Sequence, residues 1–267
     1  MSQVSVRDLW MQYPNQMVLE RINLEIRAGE FCALVGPSGC GKTTFLRLLL
    51  GEESPSRGRI EVAGRPLVAE PGPDRGVVFQ RYSVFPHLTV LDNVIIGREF
   101  RGARFLGRLF GSRRRAAIDD AKAVLDEVGL TAHLGKYPAE LSGGMQQRLA
   151  IAQAVMMKPK VLLLDEPFGA LDPGTRAQMH ELLLRLWEEE KMTVFMVTHD
   201  LKEGFKLATR VLVFDKVRLD PTDPGAYGAT ITYDLPLDAK RSPSGIAALI
   251  RNPDLRRISE AVTLSGR

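Results

Sequence analysis

The sequence predicts an α/β fold: a mostly parallel core sheet covered by helices, with an antiparallel β segment before it and a helical segment within it. Two patterns carry this. Short continuous apolar runs recur at 31–35, 161–164, 193–197 and 211–214, as strands buried on both faces read, and helix-period runs separate them. The first 28 residues alternate instead, with Ile22, Leu24 and Ile26 interleaved by polar residues, the pattern of a one-sided sheet.

Composition sets the class. The chain has 267 residues, 45% of them hydrophobic and a quarter charged, enough for one large domain with a subdomain. Its 36 Lys and Arg against 32 Asp and Glu leave a formal charge of only +4, which does not by itself point to nucleic acid. No apolar run approaches the ~20 residues that span a bilayer, and the N-terminus lacks the basic-then-apolar signal-peptide pattern. The expectation is a cytosolic protein that reaches a membrane only through a partner. Its two cysteines, Cys32 and Cys40, suggest neither a disulfide framework nor a zinc site. Cys32 reads as a small core residue. Cys40 is expected near a helix N-terminus, which can lower a thiol pKa; it is not read as a catalytic thiol, though its alkylation would block what binds there.

In order along the chain, strands fill the first 28 residues, with Tyr13 beside a turn at Pro14 and Asn15. Strand 31–35 leads into Gly36-Pro37-Ser38-Gly39-Cys40-Gly41-Lys42-Thr43, which fits G-x-x-x-x-G-K-[ST], and a helix follows from Thr44 to a stop at Gly51. Strand, glycine-rich loop and helix together make a phosphate cradle. The glycines let successive N–H groups turn inward, and the helix N-terminus adds partial positive charge. Lys42 is placed to reach β- and γ-phosphates, and the Thr43 hydroxyl to meet Mg²⁺. Two further strands read at 59–62 and 76–79, with Gln80 directly after the second, where open α/β sheets place ligands.

Thr89-Val90-Leu91-Asp92 reads as a capped helix start. From 98 to 115, seven arginines (Arg98, Arg101, Arg104, Arg108, Arg113, Arg114, Arg115) accompany one acid, Glu99, with Phe100, Phe105 and Phe110 between them. An amphipathic helix is expected from Ala116 to Val128, ended by Gly129. Ser142 caps a helix from Gly143 to about Met157. The apolar run 161–164 ends on Asp165-Glu166, two carboxylates at a sheet edge beside the phosphate loop: Asp165 for a metal, Glu166 to orient or deprotonate an attacking water. Helices from Pro173 to about Glu190 and up to Ala208 flank the strand 193–197, which leads into Thr198-His199-Asp200. The last fifty residues are richer in Pro, Asp and Gly, with one strand-like run at 229–233.

These motifs, in this order, resemble the ATP-binding subunit of an ABC transporter, over roughly residues 4–215. Leu141-Ser142-Gly143-Gly144-Met145-Gln146-Gln147-Arg148 looks like the family signature, Gly169-Ala170-Leu171-Asp172 like its D-loop, and His199 stands at its switch histidine. Gln80 matches the Q-loop glutamine, and Tyr13 the aromatic that stacks on adenine. Taken alone, Tyr13 is as well read as an edge aromatic and Gln80 as a solvated loop residue; six motifs in order remove those readings.

The resemblance implies a P-loop NTPase ABC cassette over 1–215, with a helical signature subdomain over about 86–158 and a short extension over 216–267. It implies ATP and Mg²⁺ as cofactors, held by Tyr13, the loop from Gly36 to Thr44, Gln80 and Asp165, and catalysis by Glu166, His199 and Lys42. It also implies partners. A second cassette, taken as another copy of the chain, closes head to tail so that Ser142, Gly143, Gly144 and Asp172 complete the first one's site. A transmembrane permease at the cytoplasmic face of the membrane transmits the closure, and a solute-binding protein acts beyond it; no nucleic acid is expected.

The segment Pro73-Asp74-Arg75-Gly76-Val77-Val78-Phe79-Gln80 and the signature look like the nitrate, sulfonate and taurine importer group. An exporter or lipid-transport ATPase is the alternative, and a soluble relative acting on nucleic acid or ribosomes a remote one. Three features depart from the family pattern. Met145 stands where Gln is usual, the Arg-rich stretch is longer than the usual connection, and the tail lacks a large regulatory domain. The Arg-rich stretch reads as a solvated loop, as a docking surface for the permease or as an inner-leaflet contact; docking, through Arg113, Arg114 and Arg115, is the reading put to test.

Overall fold

The computed structural model describes residues 2–79, 84–102, 110–223 and 225–237. In chain order its elements are β1 (Ser2–Tyr13), β2 (Gln16–Arg27), β3 (Phe31–Val35), α1 (Lys42–Leu50), β4 (Arg57–Val62), β5 (Arg65–Pro66), β6 (Arg75–Val78), α2 (Val90–Gly102), α3 (Gly111–Glu127), α4 (Gly143–Val155), β7 (Val161–Asp165), α5 (Pro173–Glu190), β8 (Thr193–Val197), α6 (Leu201–Leu207), β9 (Arg210–Asp215) and β10 (Thr230–Pro236), with 3₁₀ turns at Thr131–His133 and Pro138–Glu140. The expected α/β class holds, with an antiparallel N-terminal sheet beside parallel strands. The chain divides into two compact units, one formed by Met1–Gly72 with Lys191–Arg267 and the other by Pro73–Glu190.

In the first unit β1 and β2 form an antiparallel hairpin through Pro14 and Asn15, and the sheet continues in the order β2-β1-β4-β5. The alternation seen in the sequence puts Ile22, Leu24 and Ile26 inside, all buried. A second run of strands pairs β10 antiparallel with β9, β9 parallel with β3, and β3 parallel with β8. Every residue of β3 and β8 is buried, as their unbroken apolar runs require. Helix α1 packs Phe45 on Phe214 of β9, ring centroids 5.3 Å apart.

The segment after β9 is more tightly woven in than the sequence suggests. Beyond β9, Gly225 O accepts from Met17 N at 2.8 Å, Ala229 N donates to Val18 O at 2.8 Å, and Glu20 N donates to Ala229 O at 2.9 Å, so residues 225–229 line the edge of β2. Arg218 pairs with the buried Glu20 at 2.7 Å and lies over the Tyr227 ring.

In the second unit β6 and β7 run parallel. Thr89 caps α2 as expected, its Oγ1 accepting from Asp92 N at 3.2 Å while donating to Asp92 Oδ2 at 2.7 Å. The fully buried Asn93 holds the preceding turn: its amide accepts from Phe85 N and donates to the carbonyls of Phe85, Leu88 and Thr89. Helix α3 buries Ala117, Ala121 and Leu125 at four-residue spacing. It begins at Gly111 rather than at Ala116, so the three arginines are helical. Arginine is a good helix former, and Arg114 meets Glu99 of α2 at 3.5 Å and Asp92 at 3.9 Å, which offsets a cation near a helix N-terminus. Arg98 and Asp120 make a second pair between the same helices. Arg114 is therefore occupied within the fold, while Arg113 and Arg115 are exposed. Arg104, Phe105 and Arg108 lie outside the described residues.

Candidate functional site

The first unit supplies the phosphate loop at the C-terminal end of β3. Its glycines are needed for different reasons. At Gly36 (φ 148°) a Cβ would stand 2.1 Å from Phe214 O, so β9 leaves no room for a side chain. At Gly41 (φ 84°), the residue before α1, a Cβ would stand 2.7 Å from Leu19 Cδ2. The turn closes through Cys40 N donating to Pro37 O and Phe45 N to Gly41 O. Lys42 is buried, and its ammonium donates to Gly36 O and Pro37 O at 2.8 Å each and contacts Cys40 Sγ at 3.6 Å. The loop's own carbonyls thus hold its cation inside the turn. Ser38, Gly39, Thr43 and Thr44 complete the loop and the first turn of α1.

Cys40 departs from expectation. Its side chain is buried, and burial pushes the thiol up; Lys42 pulls it back only in part. Desolvation of the charged form is the largest influence on this thiol and favours its neutral form.

His199 emerges at the same edge. Leu34 of β3 pairs with Val197 of β8 in parallel register, so the loop and His199 both follow the C-terminal ends of neighbouring strands. His199 is exposed, and its flanks are pinned. Thr198 Oγ1 donates to the buried Glu203 at 2.5 Å and accepts from Asp200 N at 3.0 Å, while Asp200 Oδ1 accepts from Lys202 N and Glu203 N to cap α6. The sequence carries a signal for this cap, an Asp with Glu three residues later at a helix start. Tyr13, at the tip of the β1–β2 hairpin, is half-buried, and its phenol donates to Glu53 Oε2 at 2.6 Å. Burial and the Glu53 hydrogen bond push this phenol up, so it remains a donor.

The second unit supplies the other motifs. Asp165 is the buried last residue of β7, and the half-exposed Glu166 follows it in the left-handed region at φ 45°. A non-glycine residue pays about 1–2 kcal/mol for that conformation, and strain of this kind gathers at functional positions. The turn after it is held by Gly169 N donating to Glu166 O and by Phe168, buried against His180 at 4.9 Å. Gln80 lies outside the described residues.

The signature is a helix N-terminus: Ser142 Oγ accepts from Met145 N at 3.4 Å, with Gly143 and Gly144 in the first turn of α4. Asp172 is exposed and caps α5, its Oδ1 accepting from Gly174 N at 3.1 Å and Thr175 N at 3.0 Å. The Thr175 hydroxyl, first, and these N–H groups hold its carboxyl below the usual range. The methyl of Thr175 sits where a Cβ on Gly144 would come within 2.6 Å, so one side chain touches both motifs. Sequence reading missed Thr175 and Glu53, since pairing across the fold leaves no periodicity to read.

Thr43 in the first unit and Asp165 in the second each carry an oxygen of the kind that a hard cation such as Mg²⁺ takes. No three His, Cys, Asp or Glu side chains among the described residues are grouped to hold an ion by themselves.

Comparison with known proteins points the same way. The family model described as ABC transporter matches residues 19–169. The chain is 41% identical to the nitrate import ATP-binding protein NrtD of Synechocystis over 94% of its own length and 89% of that protein's. It is 44% identical to the bicarbonate transport ATP-binding protein CmpD of Synechocystis over 73% of its length and 67% of that protein's. Among solved structures it is similar to the dimeric post-hydrolysis ATP-binding cassette MJ0796 bound to ADP and Pi, with a TM-score of 0.69 at 27% identity, covering 88% of this chain and 98% of that one.

Proposed function

The chain belongs to the ABC transporter family, and from that premise we propose that it is the motor subunit of an importer, hydrolysing ATP to drive a small solute through a membrane permease. It is an ABC ATPase. The observation that carries the reading is the phosphate loop built around the buried Lys42, with its ammonium held at the loop carbonyls. The relatives named for nitrate import and bicarbonate transport support import of a small solute, of the class that the resemblance to nitrate, sulfonate and taurine importers implies. No helix among the described residues is long and apolar enough to cross a membrane, so a permease would supply the path.

In this reading the loop N–H groups and Lys42 bind the phosphates, and Tyr13 stacks on the adenine. Mg²⁺, at Thr43, Asp165 and Gln80, would neutralise β- and γ-phosphate charge. Glu166 orients the attacking water and accepts its proton, and His199 holds the γ-phosphate. Ser142, Gly143 and Gly144 of a second copy close over that phosphate, and Asp172 links the two copies. Cleavage to ADP and phosphate removes the link, and the pair reopens. A permease bound at the cytoplasmic face converts that motion to transport. Arg113 and Arg115 remain as docking residues for it.

Glu166→Gln tests the reading. It should lower turnover about 10²- to 10⁴-fold while retaining ATP and trapping a dimer in gel filtration. Normal hydrolysis by that variant contradicts the assignment.

A further inference from the structure

Tyr13 is tied to the segment that ends the helix carrying Lys42. Its phenol donates to Glu53 Oε2 at 2.6 Å. Glu53 lies just past the Gly51 cap of α1. The second oxygen of Glu53 lies 3.6 Å from Arg47, on the same helix, and the Glu53 side chain is only 20% exposed. The hairpin tip bearing Tyr13 is a two-residue turn. An aromatic ring at such a tip that is free to rotate must be ordered when a ligand arrives, and that ordering costs affinity.

We propose that Glu53 is a positioning residue for the nucleotide: it fixes the Tyr13 ring in register with the phosphate loop, so that adenine meets a face already oriented. This rests on the reading of Tyr13 as the adenine-stacking residue. The charge of Glu53 acts in the opposite sense, because a carboxylate near the loop repels a polyanion. Removing an incidental Glu53 should therefore tighten nucleotide binding, whereas removing a positioning Glu53 weakens it.

Calorimetric titration of the full chain with ADP, and with inorganic pyrophosphate as the probe lacking a base, separates these outcomes. Glu53→Ala and Tyr13→Phe should each weaken ADP about three- to tenfold, the worth of one hydrogen bond. The double variant should be no weaker than either single one, and pyrophosphate affinity should not change. Glu53→Gln, whose amide oxygen still accepts the phenol proton, should return ADP affinity to within about twofold. Unchanged or tighter ADP binding by Glu53→Ala, an equal loss for pyrophosphate, or additive losses would each overturn the inference. If Tyr13→Ala leaves ADP binding intact, the stacking assignment itself fails. If Tyr13→Ala weakens ADP while Tyr13→Phe and Glu53→Ala do not, only the role of Glu53 fails.

Discussion

Leu19 forms a wall against Gly41: a methyl group on Gly41 would lie 2.7 Å from Leu19 Cδ2 and 2.9 Å from Val18 Cγ1. The phosphate loop is thus shaped from outside, by β2, as much as by its own glycines. Gly41→Ala should destabilise the chain by about 2–5 kcal/mol, the sum of a left-handed residue and an overpacked contact, and should weaken ATP binding with it. Thermal unfolding and nucleotide titration check both. Wild-type values for the two would show that β2 yields at no cost.

Glu166 at φ 45° predicts an inverted order of substitutions. Alanine normally stabilises relative to glycine by about 0.4–1 kcal/mol. At position 166 glycine should be the more stable of the two by about 1 kcal/mol, since only glycine enters the left-handed region freely. Denaturant unfolding of Glu166→Gly and Glu166→Ala reads the difference, and both should lack turnover. If alanine proves the more stable, position 166 is unstrained in solution.

The Thr175–Asp172 bond gives a pH signature. Asp172 is depressed in the folded chain, first by the Thr175 hydroxyl and then by N–H groups of α5. A depressed carboxylate contributes stability that is present above its unfolded value and is lost as pH falls through the folded one. Removing the hydroxyl in Thr175→Val should therefore raise the Asp172 pKa toward the ordinary aspartate value of about 3.9 while keeping a methyl against Gly144. Carboxyl titration by NMR measures the shift. An unmoved Asp172 would assign its depression to the backbone alone.

Cys40 should be slow to react with maleimide at neutral pH in the native chain and fast once unfolded, because its thiol is buried and raised. Cys32, buried in β3, should behave alike. Mass spectrometry after timed labelling distinguishes the two states. Rapid native modification of Cys40, with loss of ATP binding, would restore the expectation drawn from its place before a helix.

Much of the fold was legible because it rests on local pattern. The runs at 31–35 and 193–197 are strands at those limits, and Gly51 and Ser142 cap the helices assigned to them. The misses came where partners distant in sequence decide. Helix α3 starts five residues early because Arg114 has acids waiting on α2. Cys40 obeys burial rather than the helix end nearby. Within the site the residues assigned directly were those in contiguous motifs. Glu53 is forty residues from Tyr13 and Thr175 thirty-one from Gly144, and no spacing rule joins such pairs.

The strip of residues 225–229 along β2 has a consequence for biosynthesis. Glu20 and Gly228 are 208 residues apart in sequence, yet the second donates its N–H to the first. At about 5–20 residues per second of translation, β2 leaves the ribosome some tens of seconds before its edge can be covered. For that interval its outer N–H and C=O groups are open to pairing with another nascent chain. Residues 225–229, made some two hundred residues after β2, are therefore the segment that ends its exposure to aggregation.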